Sequence, residues 1–431
     1  MAREAARTAG SGVPTGTPAG TPTGGDPTRE AAFALLTAVL ERHRTLEDAL
    51  NALPPMEPRD RAAGHRLAAT VLRRTGTLDA VLEPLMRKAP PDPVRNVLRI
   101  GAAGLLLLNV PPHAAVATAV ALARTASLPP FAGLVNAVLR KVASSGTAVL
   151  ETLDSPRLDT PAWLWASWGA DARAIAEAHQ HEAPLDLTLK PGIPVPEGGT
   201  LLPTGSVRYP AGTHVGDVPG FAEGRLWVQD AAAALPVFLL APRPGERIAD
   251  LCAAPGGKTA QLAASGAHVT AVERDPVRLK RLAENLARWG LEAELIAADV
   301  TTWTPPTLFD AILLDAPCAA TGTIRRHPDV THLKRPRDIK ALAEAQEALL
   351  AASGRMLRPG GRLIYSVCSL QPEEAAPRLA AAGLRIDPFR AEELPGLPEA
   401  INAEGFSRTH PAMWADLGGM DGFFTARLIK Q

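Results

Sequence analysis

At 431 residues the chain is too long for one ordinary core, and its length predicts two or three domains. An apolar fraction of 46% with 21% charged residues is that of a soluble globular protein. Its most apolar run, Gly101 to Leu122, is cut by Pro111 and Pro112 and falls short of the roughly 20 residues a bilayer needs, so no membrane partner is expected. Three cysteines far apart, with no CxxC pair, exclude a disulfide framework and argue against structural zinc; no metal is expected.

Residues 1–26 are almost all Ala, Thr, Gly, Pro and Ser and read as a disordered tail. They carry no signal-peptide pattern, which predicts a cytoplasmic protein. From Thr28 the pattern turns helical. Phe33, Leu36 and Leu40 share one face, and similar stripes recur at Leu67–Val71–Leu72, Val97–Leu105 and Leu134–Val138. Proline pairs at 54–55, 90–91, 111–112 and 129–130 separate them, so residues 27–149 form an all-helical domain. Net charge is zero, but residues 27–150 hold 15 Lys+Arg against 9 Asp+Glu. That surplus points to an anionic partner.

Residues 150–240, with Trp163, Trp165 and Trp168 and β-like runs at Leu185–Leu189 and Leu226–Val228, read as a small α+β connector. The tryptophans are expected in its core rather than as base-stacking platforms. Over 241–431 short apolar runs alternate with amphipathic ones: Ile248–Cys252, Val269–Glu273, Leu295–Ala298, Ala311–Asp315 and Leu363–Val367, with helices predicted at Pro276–Trp289 and Ile339–Leu357. This rhythm predicts an α/β, Rossmann-like fold with a mostly parallel sheet, whose ligands bind at the carboxyl ends of the strands.

The unusual residues fall at those ends. Asp250-Leu251-Cys252-Ala253-Ala254-Pro255-Gly256-Gly257-Lys258-Thr259 follows a predicted strand and opens a predicted helix. Its small residues permit close backbone approach to a ligand, and the helix start offers free N–H groups. Gly257-Lys258-Thr259 is like the end of a P-loop, but that motif needs glycine where Cys252 stands. Glu273 ends the next strand, placed to hydrogen-bond a ribose, and Asp299 after the third could reach an adenine; together they favour an adenosine cofactor. Asp315-Ala-Pro-Cys318 and Tyr365-Ser-Val-Cys368-Ser369 close two further strands, so Cys318 and Cys368 would face one cleft. Cys252 reads as a packing or backbone-contact residue of the loop. Gln371-Pro-Glu-Glu374 is predicted to open a helix, and Arg325 to Lys340 carries six Lys+Arg against two Asp, suited to phosphate contacts. His327 and His332 lack metal-ligand spacing.

Asp250–Thr259, Asp315–Cys318 with Ile324–Asp329, and Tyr365–Ser369 with Pro372–Glu374 resemble the signature motifs of the RNA cytosine-5 methyltransferases, in particular the branch that modifies bacterial 16S ribosomal RNA. Residues 27–149, including Arg61–His65 and Leu134–Lys141, resemble the NusB-like RNA-binding domain that this branch carries in front. The resemblance implies S-adenosylmethionine as cofactor, held by the Cys252–Lys258 loop, Glu273, Asp299 and Asp315. It implies Cys368 as nucleophile at cytosine C6, Cys318 as the thiol assisting release, Asp315 at the cytosine edge and Lys258 beside cofactor or substrate. Val367 departs from the threonine common before the nucleophile. A monomer is expected. The same chemistry on transfer RNA, or a non-catalytic NusB-like ribosome-assembly factor with a vestigial cofactor fold, stand as the alternatives.

Overall fold

The computed structural model describes residues 25–431, so most of the predicted disordered tail lies outside the described residues. Helix α1 (Pro27–Leu40) starts where Asp26 accepts a hydrogen bond from the Arg29 backbone N–H and Pro27 sets the first turn. Its core face is Ala32, Leu35, Leu36 and Val39, all buried; Phe33 and Leu40, from the predicted stripe, lie half-buried at its edge. Helices α2 (Leu46–Asn51), α3 (Pro58–Arg73), α4 (Thr75–Leu82), α5 (Asp92–Leu106), α6 (Pro112–Thr125) and α7 (Ala132–Leu150) follow. The central helix is α5, buried without interruption from Val97 to Gly104 and packed by Leu36, Leu72 and Leu139. The proline pair at 111–112 separates α5 from α6, as the sequence predicts.

Three short helices come next, α8 (Ser155–Leu158), α9 (Ala162–Trp168) and α10 (Ala172–Ala178). Trp168 is buried, and Trp163 and Trp165 pack half-buried against the same small apolar cluster, as core residues do. A four-stranded antiparallel sheet then forms from β1 (Leu185–Leu189), β2 (Thr200–Leu201), β3 (Val207–Tyr209) and β4 (Leu226–Val228), in the order β2-β3-β1-β4. Asp186 of β1 and Arg208 of β3 pair through two bonds of 2.6 and 2.7 Å inside it.

Helix α11 (Ala231–Leu240), capped by the Asp230 carboxylate, leads into the large sheet. Its elements are β5 (Arg247–Leu251), α12 (Gly257–Ala264), β6 (His268–Glu273), α13 (Pro276–Trp289), β7 (Glu294–Ala297), β8 (Phe309–Asp315), α14 (Val330–Leu333), α15 (Pro336–Met356), β9 (Leu357–Val367), β10 (Arg385–Ile386), β11 (Ser407–Arg408) and β12 (Phe424–Ile429). The strand order is β10-β12-β9-β8-β5-β6-β7, with β11 on β12. Strands β9, β8, β5, β6 and β7 are parallel, and β12 runs antiparallel beside β9. The α/β, mostly parallel expectation is therefore correct. The chain runs outward from β5 in one direction to β6 and β7, then returns to β8 and β9 on the other side. A crevice opens at such a reversal.

Helix α13 has the predicted bounds because both ends are written locally. Asp275 accepts from the Val277 and Arg278 N–H groups, and Gly290 takes a left-handed φ of 57° at the other end. The helix predicted at Gln371–Glu374 does not form. Two 3₁₀ segments, Pro372–Glu374 and Ala376–Ala382, stand there instead. The Glu374 carbonyl, which a helix would need, accepts from the Tyr365 hydroxyl at 2.8 Å, and Ala375 breaks the run with ψ −133°. Among the described residues no helix is long and apolar enough to cross a membrane, and no group of three His, Cys, Asp or Glu side chains is placed to hold a metal.

Candidate active site

A cleft of about 690 Å³ opens at the carboxyl ends of β5, β8 and β9. Its walls include Asp250, Ala253, Ala254, Pro255, Gly257 and Lys258 from the β5–α12 turn, Asp315 and Cys318 after β8, and Cys368 after β9. Gln229, Asp230 and Phe423 enter from either side of the sheet, and Thr45 and Glu47 of the helical domain complete the rim. Sequence reasoning missed these five, which lie 55 to 323 residues from Cys318 and Cys368 and belong to no local pattern.

The β5–α12 turn is shaped by Gly256. Its φ of 105° belongs to the left-handed region, and a Cβ there would stand 3.1 Å from Leu282 Cγ. Cys252 sits half-buried at the back of the turn, packed against the sheet core, outside the cleft lining. Burial pushes its thiol up to about 12, so it is inert at neutral pH. Asp250 is fully buried. Thr259 donates to its Oδ2 at 2.6 Å, while Oδ1 accepts nothing. Burial, reinforced by the Asp315 and Glu273 charges against the Thr259 bond, raises its carboxyl to about 7.

Glu273 ends β6, nearly buried, with Oε1 accepting from the Asp275 N–H at 3.0 Å. Its Oε2 accepts no hydrogen bond, although Arg278 Nη1 lies 3.3 Å away. Glu273 lies outside the cleft lining, whereas Asp250 is part of it, so the donorless Asp250 Oδ1 suits a ligand that brings an N–H or O–H group. Asp299 lies two residues past β7 and outside the cleft lining. Its Oδ1 takes both the Thr301 N–H and hydroxyl, at 2.9 and 2.6 Å, which holds the carboxyl below its usual range.

Lys258 reaches across the crevice to Asp315, Nζ to Oδ2 2.8 Å, with its ammonium 5.2 Å from the Phe423 ring centre. Burial works to lower its pKa, but the Asp315 charge and hydrogen bond prevail and raise it, so it stays a cation. Cys318 and Cys368 stand with their sulfurs 3.4 Å apart. The bond to Cys368, then burial and the nearby Glu374 carboxylate, push the Cys318 thiol well up. The Cys368 backbone is fixed from behind: its carbonyl accepts from the Gly322 N–H at 3.1 Å, and the Gly322 carbonyl accepts from the Gly422 N–H at 2.8 Å. A Cβ on Gly322 would lie 1.9 Å from the Gly422 oxygen, so only glycine fits this crossing. Val367 is buried in the sheet core, with no polar role.

The basic run 325–340 is less available than its composition suggests. Arg325 is 2% exposed and bonded to Asp230 at 2.6 Å and Asp421 at 3.0 Å. It serves the fold and cannot reach a phosphate. Arg326 also pairs with Asp421 but lines the cleft. His327 lines it too, and burial followed by the Arg326 charge lowers its pKa to about 4, so it is neutral. This same loop joins the helical domain. Asp329 Oδ2 accepts from the Leu46 N–H at 3.0 Å, the Arg325 carbonyl accepts from Arg73 at 2.8 Å, and Arg281 of α13 pairs with Glu47.

Two family models match the chain: the 16S rRNA methyltransferase RsmB/F model over residues 237–429 and the NusB family model over residues 26–144. A ribosomal RNA small subunit methyltransferase B from Sodalis glossinidius (strain morsitans) is 36% identical over 94% of this chain and 98% of its own length. The chain belongs to the RsmB/F family of 16S rRNA methyltransferases. Like the family it is an RNA methyltransferase that takes S-adenosylmethionine. The likeness in shape extends over the whole molecule: the solved structure of PH0851 covers 93% of this chain and 99% of its own with a TM-score of 0.73 at 22% identity, which speaks for the fold. A methyltransferase homologue from Pyrococcus horikoshii covers 65% of this chain and 96% of its own at 27% identity, TM-score 0.52. The RsmB/F resemblance and the NusB-like front domain read from the motifs are thus both correct.

Proposed function

We propose that this RsmB/F-family chain methylates carbon 5 of a cytosine in 16S ribosomal RNA, with Cys368 bonding transiently to the pyrimidine. The observation that carries the reading is the pair of thiols 3.4 Å apart in the wall of one cleft, beside the Lys258–Asp315 ion pair. Carbon 5 of cytosine is a weak nucleophile. Addition of the Cys368 thiolate at C6 makes the ring an enamine, so that C5 gains the electron density to attack a methyl donor. As sulfur adds, electron density moves onto ring N3 and O2; Asp315 meets the cytosine edge, and the Lys258 ammonium that it holds offers the compensating positive charge. A base then takes the C5 proton, the C–H pair closes the C5–C6 double bond, and the S–C6 pair returns to Cys368. Cys318, adjacent and predominantly protonated, assists this release.

S-adenosylmethionine supplies the methyl group on a sulfonium sulfur. The turn Cys252–Lys258 would pass along it, with the small side chains of Ala253 and Ala254, Pro255 and the glycines at 256 and 257 allowing close approach. Glu273 is assigned its ribose hydroxyls, Asp299 its adenine edge, and Asp315 the boundary between cofactor and base. To these the structure adds Asp250, whose unpartnered Oδ1 is suited to the ligand's amino group. Residues 27–149 serve as the NusB-like RNA-binding unit, 150–240 as the connector and 241–431 as the catalytic unit, in a monomeric cytoplasmic protein. A base inside a stem would have to be unstacked to admit Cys368 to C6, so a single-stranded or loop cytosine is the natural substrate.

Incubation with unmodified 16S ribosomal RNA and labelled cofactor tests the reading. The parent transfers label to cytosine C5, Cys368→Ala transfers none while still binding cofactor, and Cys318→Ala leaves a covalent RNA adduct on a denaturing gel. Parental transfer by Cys368→Ala would sink the assignment.

A further inference from the structure

The motif Pro372-Glu373-Glu374 has no part in the chemistry above, yet it contains a carboxylate in an unusual place. Glu374 is fully buried and, among the described residues, has no ion-pair partner. Its neighbours are neutral donors. The Ala319 N–H donates to Oε1 at 2.9 Å, the Gln346 amide donates to the same oxygen at 3.0 Å, and the Ser369 hydroxyl donates to Oε2. Ala319 is the residue after Cys318, and Ser369 is the residue after Cys368. One carboxyl therefore grips the chain immediately beyond each thiol, the Ala319 N–H reaching Oε2 as well, at 3.3 Å.

The grip is braced. The Gln346 amide also donates to the Pro317 carbonyl at 2.9 Å, so both neighbours of Cys318 are held. The Tyr365 hydroxyl lies 3.0 Å from Gln346 Oε1 and donates to the Glu374 carbonyl. On the far side Thr321 Oγ1 lies 3.2 Å from Ser369 Oγ and accepts from the Leu370 N–H. A buried carboxylate without a cation is costly, and an apolar or amide side chain would fill the volume more cheaply. An ionised carboxyl accepts from both loops at once, whereas an amide in its place would have to donate to Ser369 Oγ, which already accepts from the Gln371 N–H.

We propose that Glu374 is a positioning residue that fixes Cys318 relative to Cys368 for the release step. The proposal rests on the assignment of Cys368 as nucleophile. The two loops are not equally dependent on this grip. Cys368 is also fixed by the end of β9 and by its carbonyl bond to Gly322, whereas the Cys318 loop is tied to the same layer chiefly through Ala319 and Pro317. Loosening the carboxyl therefore disturbs Cys318 more. Addition at C6 continues, while loss of the C5 proton, closure of C5=C6 and departure of sulfur slow down. Displacement of a reacting group by about 1 Å costs on the order of 100-fold.

The test is Glu374→Gln in the full chain, with labelled cofactor and unmodified 16S ribosomal RNA. Expected are a kcat lower by roughly 10- to 100-fold, KM values for RNA and cofactor within about twofold of the parent, and a covalent RNA adduct retained on a denaturing gel. The rate of Cys318 alkylation against pH should also move to lower pH, because the negative charge beside that thiol is gone. Parental turnover overturns the proposal. So does slow turnover with no adduct and a parallel loss of melting temperature and cofactor affinity, which is the behaviour of a merely structural residue. Should Glu374→Gln fail to fold, Gln346→Met removes the brace on the Cys318 side alone; slowed turnover with a retained adduct supports the proposal, and parental kinetics refute it. Cys318→Ala is run alongside. If that variant traps no adduct either, the nucleophile assignment has failed and this proposal falls with it.

Discussion

The helical domain and the catalytic sheet are built on opposite terms. Between residues 27 and 150 the buried polar side chains are Thr77, Asn96 and Arg99, and the rest of the interior is aliphatic. Around the catalytic sheet the buried set includes Asp230, Asp250, Glu273, Arg325, Glu374 and Asp421. An aliphatic core is held by area removed from water and tolerates volume-conserving exchange. A buried charge is tolerated only with its ionic or hydrogen-bonding partners in place. The catalytic half therefore accepts a strained interior where it needs fixed charges, and the helical half supplies a firm platform beside it.

Four substitutions probe this contrast. The largest effect on stability is expected for Arg325→Leu, which strands Asp230 and Asp421 in the interior. Unfolding in urea should show a loss of about 3–5 kcal/mol, and an unchanged midpoint would mean that these ion pairs contribute little. Leu98→Ala, at the centre of the helical core, should cost about 3 kcal/mol by the same measurement, and cofactor affinity should stay at the parental value. Asp250→Asn should act in the opposite sense. The folded carboxyl keeps its proton up to about pH 7, whereas the unfolded one loses it near pH 4. Its stabilising share is thus complete below about pH 4 and is lost as pH rises through 7. The variant should be more stable than the parent at pH 8 and equal to it at pH 4, while cofactor binding by calorimetry falls sharply. Smallest is Glu47→Ala. Its partner Arg281 is about half exposed, so melting temperature should be unaltered, and any change should appear in RNA affinity at low salt.

How much of this was legible in the sequence depends on the reach of each signal. Helix α13 was fully readable because Asp275, Pro276 and Gly290 specify its ends within a few residues. Strands β5 to β9 were readable as apolar runs, and the reactive-looking residues at their ends were placed on the correct edge of the sheet. The Gln371–Glu374 segment misled because an N-terminal helix signature was overruled by tertiary bonds from Tyr365 and to Ala319. Arg325 misled for a related reason: composition cannot distinguish a cation facing RNA from one facing Asp230 and Asp421, about 95 residues away on either side. The contribution of Thr45 and Glu47 to the cleft rim was invisible, since no periodicity in α2 refers to a loop nearly 300 residues later.

The glycine crossing behind Cys368 has a consequence for how the enzyme comes into being. The backbone seam runs from residue 368 through 322 to 422, and strand β12 follows directly after 422. A polypeptide emerging from the ribosome has both sulfur atoms long before it has the segment that backs them. The backing of Cys368 cannot form until residue 422 has been made, and deleting β12 should silence the chemistry even though every reacting side chain survives.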